Sequence, residues 1–186
     1  MRYTINVKEL GSIKVWIDDD LKMRNIKAGE QHVNRNFYGR LIDEGRESIR
    51  IIVECRFCSH NSSYGLLGLE YLPTAGNDSL DVDVFYLSHD KEVALKDGVH
   101  AGLPEYALEV VFEELSRFVE NNKNLSAGKL SFLYAASSPG CSSSGLYRIL
   151  IRILFDILCF NKKHIDQEVI FNIVKKNGSI RGWFAE

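Results

Sequence analysis

Residues 146–160 place the strongest constraint on the fold, because they are apolar around most of a helix circumference. Only Arg148, Arg152 and Asp156 interrupt the apolar run, and they form one polar stripe at helical spacing. A helix that spans a membrane needs about 20 mostly apolar residues, and this segment is shorter and carries charges. We therefore expect a core helix that other elements of the protein cover, and no membrane partner.

The composition is that of an ordinary globular chain. Hydrophobic residues make up 45% and charged residues 26% of the 186 residues, which argues against disorder and low complexity. The length suits one compact domain, so we expect residues 1–186 to form a single domain. The net charge of -2 provides no global positive field for a phosphate backbone, which makes DNA an unfavourable partner.

The N-terminal residues contain no apolar segment and no small-residue cleavage site of the kind found in secretory signals. We expect a cytoplasmic protein for this reason. The four cysteines of such a chain are expected to be reduced thiols rather than disulfides.

The remaining patterns alternate between strand and helix, apart from a polar, aperiodic stretch at 18–36 that predicts a loop. The predicted strands are 4–7, 14–17, 49–57, 66–72, 80–87 and 129–136, and the predicted helices are 103–119, 146–160 and 165–176. This order predicts an α+β fold with a split βαβ unit whose helices pack on one face of the sheet. An N-terminal hairpin and a C-terminal helix extend that unit.

Residues 61–73 read NSSYGLLGLEYLP, and residues 99–106 read VHAGLPEY. The first motif resembles the Gln-Tyr-Gly strand of domain IV of elongation factor G, and the second resembles the entry to the first helix of that domain. Residues 125–150 are similar to its next strand, tip loop and second helix. The resemblance covers residues 56–160 and implies the ribosomal protein S5 domain 2-like fold, with residues 161–186 as a helical extension.

The chain departs from the elongation factors in two ways. It contains no Gly-x4-Gly-Lys-Ser/Thr sequence, so their GTPase activity is not predicted. Residues 137–145 read SSPGCSSSG, where the family carries charged and His-containing sequence directed at the decoding centre. A ribosome-associated translation accessory is therefore an alternative that requires a basic surface elsewhere. The candidates for that surface are Lys162, Lys163, Lys175, Lys176 and Arg181.

The Ser-rich loop 137–145 leads directly into the predicted core helix, where exposed backbone N–H groups can hold an anion. A phosphate- or nucleotide-binding enzyme that uses this loop is a second alternative, and it requires a concave pocket there. The simpler interpretation is that the serines cap the helix and the glycines turn the chain. The candidate anion-binding residues are Gly140, Ser142, Ser143, Ser144 and Gly145.

Cys55 and Cys58 have the Cys-x-x-Cys spacing of many metal and redox sites, and His60 follows them. In an extended strand, residues three apart point to opposite faces, so both thiols bind one ion only if the strand breaks. Buried thiols are the favoured interpretation, and we predict no metal and no cofactor. The histidines form no catalytic signature, and no catalytic residue is predicted.

Two groups of charged residues have spacings that suit a site. Asp81 and Asp83 share one strand face, as paired carboxylates for acid–base work would, but a solvated polar face is the favoured interpretation. Arg148 and Arg152 lie one helical turn apart and can bind a phosphate or a partner's carboxylate. Asp156 continues their stripe, which favours an internal ion pair instead.

These observations favour a non-enzymatic protein-binding module, such as an inhibitor or immunity-type protein that neutralises a partner protein. The chain is small and mildly acidic, and it carries no recognised catalytic motif. Aromatic residues anchor many protein interfaces. The predicted contact residues are Phe37, Tyr38, Tyr64 and Trp183.

Overall fold

The chain combines strands and helices in an α+β architecture, as the sequence predicts. The structure, a computed structural model, describes residues 1–7, 11–19, 26–38, 47–57, 63–74, 79–87, 93–95, 98–121, 127–138 and 142–177. Its strands are β1 (Arg2–Val7), β2 (Gly11–Ile17), β3 (Gln31–Tyr38), β4 (Ile49–Phe57), β5 (Ser63–Pro73), β6 (Ser79–Tyr86), β7 (Val93–Ala94), β8 (His100–Ala101) and β9 (Gly128–Ser137). Its α-helices are α1 (Glu105–Asn121), α2 (Ser144–Cys159) and α3 (Gln167–Asn177).

The strands form one sheet in the order β1-β2-β4-β5-β9-β6-β3, and the short strand β8 pairs with β7 and β9. Neighbouring strands are antiparallel except β6 and β9, which are parallel and are connected through α1. This topology corrects the predicted split βαβ unit, because in such a unit another strand separates the parallel pair, whereas here β6 and β9 are hydrogen-bonded neighbours. Strands β1 and β2 form the predicted N-terminal hairpin.

One face of the sheet, called the helix face below, packs against the three helices. Alternate strand residues such as Ile51 of β4 and Leu67 of β5 form one buried cluster with apolar side chains of α1, α2 and α3. The cluster extends from Ile5 in β1 to Val174 in α3, so the first and last described elements share one core. Burial of apolar surface of this kind is the main favourable term in folding.

Helix α2 is the core helix that the sequence predicts, and it contacts β4, β5, α1 and α3. Its buried residues are Leu146, Tyr147, Leu150, Ile151, Ile153, Leu154, Phe155, Ile157 and Leu158. Gly65 in β5 allows the helix to approach closely, because a Cβ atom there would lie 2.9 Å from Cδ2 of Leu146. Within the described ranges, neither α2 nor any other helix has the length and apolarity to cross a membrane.

The opposite side of the sheet, called the second face, carries a smaller buried cluster. Its members are Trp16, Ile52, Tyr64, Leu66, Val99 and Ala136. Gly68 lies against this cluster, because a Cβ atom there would approach Cγ1 of Ile52 to 2.7 Å. The sequence predicts a half-buried strand at 49–57, with only its helix face covered. Ile52 and Glu54 on the second face are buried as well, so this part of the strand is buried on both faces.

The loop predicted for residues 18–36 is wrong over its last part, because Gln31–Tyr38 form strand β3. This strand pairs with β6 in an antiparallel register that places Val33 opposite Val84. Most of its other side chains are polar and exposed, since β3 is the last strand of the sheet. Only Val33 and Phe37 alternate as half-buried strand residues do, which is too weak a pattern to predict a strand.

Candidate functional site

The Ser-rich loop before α2 uses its described hydroxyl groups to hold its own backbone. Ser142 Oγ donates to the carbonyl of Tyr64 at 2.5 Å and accepts from the amide of Ser138 at 2.8 Å. Ser143 caps α2, and its Oγ accepts from the amide of Leu146 at 3.2 Å. The Ser143 bond is the helix cap of the simpler interpretation, and the Ser142 bonds hold the loop against β5.

The other candidate residues of this loop do not converge on a site. Ser144 and Gly145 are the exposed first residues of α2, and Gly140 lies outside the described residues. The hydroxyl of Tyr106 in α1 donates to the carbonyl of Ser142 at 3.1 Å. The loop is therefore tied to α1 as well as to β5.

A cavity of about 260 Å³ lies away from this loop, between the start of β4 and the end of β5. Its polar lining is paired internally. Arg50 Nε lies 2.5 Å from Glu70 Oε1, and the Arg50 amide donates to Asp18 Oδ1 at 2.8 Å. Lys162 pairs with the other carboxylate oxygen of Asp18. This cavity is therefore not the pocket that an enzyme using the Ser-rich loop would require.

Cys55 is fully buried in β4, and this burial raises the pKa of its thiol, with the charge of Glu54 acting in the same direction. A thiol in this state is a poor nucleophile and a poor metal ligand. Cys58 and His60 lie outside the described residues. In the described part of the chain, no group of three or more His, Cys, Asp and Glu side chains can hold a metal ion.

Asp81 and Asp83 lie on the second face of β6, where Asn34 of β3 donates to them at 2.6 and 2.8 Å. Lys129 of β9 pairs with Asp83 at 2.6 Å. Asp83 is buried rather than solvated, which corrects the predicted solvated face. Burial raises the pKa of Asp83, but hydrogen bonds from Asn34 and Lys129 and the Lys129 charge outweigh burial and hold the pKa below its usual value. The carboxylate therefore ties three strands together.

The four aromatic residues predicted to contact a partner lie in very different places. Tyr64 is only 8% exposed, and the guanidinium of Arg56 lies 5.4 Å from its ring centre, so the ring belongs to the second-face cluster. Trp183 lies outside the described residues. Phe37 and Tyr38 are neighbours at the end of β3, and Tyr38 is 73% exposed. The side chains of Phe37 and Tyr38 lie on opposite faces of β3, and of the described residues of this set only Tyr38 is exposed.

Strand β3 is fixed to α1 by a stack of one cation and two rings. The guanidinium of Arg35 lies 4.0 Å from the ring centre of Phe112 in α1, and the ring of Phe37 lies 6.5 Å from that same ring. On the second face, His32 stacks on Phe85 of β6 at 5.6 Å. Among the described strands β3 pairs only with β6, so none of them pairs with its outer edge. The contacts with Phe112 and Phe85 hold the strand in place.

A polar site lies between α1 and α2, and the sequence analysis predicted only its residues Arg148 and Arg152. The side chain of Glu114 in α1 is only 5% exposed, and it pairs with Arg117 of the same helix and with Arg148 and Arg152 of α2. Arg148 also pairs with Glu113 at 2.8 Å. These five residues are called the arginine cluster below. Because one carboxylate joins two helices, the cluster fixes how α1 and α2 pack.

The internal ion pair predicted among Arg148, Arg152 and Asp156 is wrong, because each of the three pairs with a residue of another helix. Both arginines pair with α1, whereas Asp156 pairs with Lys176 of α3 at 2.9 Å. The three residues therefore link α2 to its neighbours instead of pairing with one another. A signal for this was present, because Glu114 lies within the apolar stripe of α1 and a buried carboxylate needs a partner.

The basic residues proposed for a ribosome contact are largely paired with carboxylates. The pairs are Lys162 with Asp18, Lys163 with Glu47 and Lys176 with Asp156. Each pair reduces the local positive charge that a phosphate backbone requires. Lys175 is exposed on α3, and Arg181 lies outside the described residues.

Comparisons of the chain with protein-family models, with curated proteins and with solved structures find no match. The resemblance to domain IV of elongation factor G therefore stays a prediction.

Proposed function

We propose that this protein is a non-enzymatic protein-binding module, of inhibitor or immunity type, that engages its partner through the outer edge of β3. The observation that carries the proposal is an exposed eight-residue strand at the end of the described sheet. The contact of Arg35 with Phe112 of α1 supports this strand. A partner segment adds to such an edge through main-chain hydrogen bonds, while pockets and neighbouring side chains supply specificity.

Strand β3 carries few of the features that keep an edge from pairing with other chains. Edge strands are commonly protected by short length, proline, bulges or charged side chains. This strand is eight residues long, contains no proline and pairs with β6 without a register shift. Its one side chain with a permanent charge is Arg35, and that guanidinium lies against Phe112. Among the described strands only β6 pairs with β3, which leaves the outer backbone edge for a partner strand.

Tyr38 supplies the side-chain anchor for this interface. Tyrosine is enriched among the residues that contribute most to binding energy, because its ring buries a large area at low entropic cost. Tyr38 is the most exposed large apolar side chain among the described residues, at 73%. The partner is expected to be an extended protein segment with an apolar side chain that covers this ring.

The two alternative functions receive no comparable support in the described part of the chain. A ribosome contact requires a basic surface, and Lys162, Lys163 and Lys176 are paired with carboxylates. An enzyme that uses the Ser-rich loop requires a concave pocket there, whereas the described cavity lies between β4 and β5, and Ser142 and Ser143 bond to the loop's own backbone.

Site-specific photo-crosslinking in the native cells tests the proposal. Benzoylphenylalanine replaces Tyr38 in the tagged full chain, and a matched probe replaces Thr4, which is exposed on β1 at the opposite edge. We expect one discrete protein adduct at position 38 that resists high salt, and no adduct with that protein at position 4. Equal adducts at both positions, or none at position 38, would contradict docking through β3.

A charge placed on the edge provides an independent measurement. Asn36→Lys sets an ammonium group opposite Asp81, its register partner in β6, so we expect the fold to be retained. A lysine on an edge strand opposes strand addition, and capture of the cross-linked partner should weaken about tenfold. Tyr38→Phe, which keeps the ring, serves as the control. Capture that Asn36→Lys leaves unchanged would overturn the proposal, and salt-sensitive recovery of ribosomal RNA would favour the translation alternative.

A further inference from the structure

The arginine cluster gathers more positive charge around Glu114 than that carboxylate can neutralise. Glu114 Oε1 accepts from Arg117 Nη1 at 2.7 Å, from Arg148 Nη1 at 3.1 Å and from Arg152 Nη2 at 3.1 Å. Its Oε2 accepts from Arg152 Nε at 2.7 Å, and Glu113 adds a second carboxylate 2.8 Å from Arg148 Nη2. Three guanidinium groups therefore face two carboxylates, which leaves one net positive charge.

These charges are present at neutral pH. Burial raises the pKa of Glu114, but the Arg152 hydrogen bond and the charges of Arg152, Arg117 and Arg148 outweigh burial and hold the pKa below its usual value. Guanidinium groups stay protonated in proteins. The imbalance of charge is therefore a permanent property of the cluster.

The three guanidinium groups keep donors that the two carboxylates do not use. Each guanidinium carries five N–H donors, and the bonds above use one from Arg117, two from Arg148 and two from Arg152. The side chains of Arg117, Arg148 and Arg152 are 55%, 34% and 49% exposed. These neighbouring, partly exposed cations repel one another, and an anion that bridged them would offset that repulsion.

We propose that the arginine cluster binds the phosphate group of a small-molecule ligand. Guanidinium forks match phosphate oxygens with paired hydrogen bonds, and a phosphate dianion supplies the negative charge that the cluster lacks. Glu114 holds the arginines together before the ligand arrives, so little side-chain entropy is lost on binding. Phe112, which supports β3, is two residues from Glu114 and points to another side of α1. The site is therefore independent of the interface at β3.

Pyrophosphate, titrated into the full chain at low ionic strength, is the probe for this site. We expect a saturable rise in Tm of a few degrees when the ligand is about tenfold above its Kd. The side-chain Nε–Hε NMR signals of Arg117, Arg148 and Arg152 should shift over the same concentration range. Acetate and chloride at matched ionic strength should cause neither change, and equal effects from these salts would overturn the proposal.

Two substitutions should change the affinity for pyrophosphate in opposite directions. Arg117→Gln removes a half-exposed guanidinium, and we expect about tenfold weaker binding. Glu113→Gln removes an exposed carboxylate and raises the net charge of the cluster, and we expect about threefold tighter binding. Lys175→Gln, on the exposed side of α3, is the control with unchanged affinity. If all these proteins bind pyrophosphate alike, the cluster is only a structural link between α1 and α2.

Discussion

The two edges of the sheet share antiparallel pairing but differ in how they join the core. At β1, Ile5 is buried in the helix-face cluster, and the Tyr3 hydroxyl donates to the carbonyl of Ile165, shortly before α3, at 2.9 Å. At β3, Val33 is only partly buried, and the Arg35 guanidinium lies over the ring of Phe112 in α1. Strand β1 is therefore part of the core, whereas β3 lies against the core and can bind a partner at small cost to stability.

Cavity-forming substitutions should give the largest difference between the edges. Ile5→Ala removes a buried side chain from the core, so the free energy of unfolding should fall by about 2–5 kcal/mol. Val33→Ala should cost about 1 kcal/mol or less, because that side chain already contacts solvent. Chemical denaturation measures both losses, with Thr4→Ala as an exposed control on β1. Equal losses for the two edges would show that β3 belongs to the core as fully as β1.

Removal of the polar contact at each edge should destabilise a different part of the protein. Tyr3→Phe removes the hydrogen bond to Ile165 and should lower the free energy of global unfolding by about 1 kcal/mol. Arg35→Ala removes a cation–π contact worth about 0.5–1 kcal/mol, and its effect should appear as faster amide hydrogen exchange confined to β3. Loss of protection across the whole sheet in the Arg35→Ala variant would contradict this separation.

The smallest expected effect is a difference in pH response. The pKa of Asp83 is lowered, so its contribution is present above the unfolded value of about 3.9 and is lost as pH falls through the lower folded value. Burial and the charge of Asp166 raise the pKa of Tyr3, so its contribution is present below about 10 and is lost as pH rises through the higher folded value. Acid should therefore loosen β3, and alkali should loosen β1.

Hydrogen exchange or NMR signal intensities across a pH series measure both transitions. Asp83→Asn should abolish the acid response of β3, and Tyr3→Phe should abolish the alkaline response of β1. The comparison fails if both edges loosen together at the same pH.

The sequence predicted the helices well because each of them buries a continuous apolar stripe. Residues 146–160 show this most clearly, and helix α2 spans Ser144–Cys159. Strand β3 escaped prediction because an edge strand that is only partly buried needs few apolar residues, and polar side chains fill its remaining positions. Periodicity reports burial, so the elements that bury least are the hardest to predict.

A feature of the candidate sites could be predicted only where the residues that form it lie in one segment of the sequence. Helix capping by Ser143 follows from its position before α2 and could be expected from local sequence. Their aromatic character makes Phe37 and Tyr38 predicted contact residues, but their exposure depends on where β3 lies in the sheet. The pairing of Arg148 with Glu114 joins residues 34 positions apart on different helices, and the sequence does not show which faces of two helices meet.

The contact between β1 and α3 also affects how the protein is made. A chain leaves the ribosome N-terminus first, and its domains fold as they emerge. The apolar side of β1, with Ile5 and Val7, has no cover from α3 until the last described helix has been synthesised. A nascent or truncated product without α3 therefore exposes an apolar strand whose outer edge pairs with none of the described strands, which is an aggregation hazard. Translation that stops before α3 is expected to yield insoluble protein.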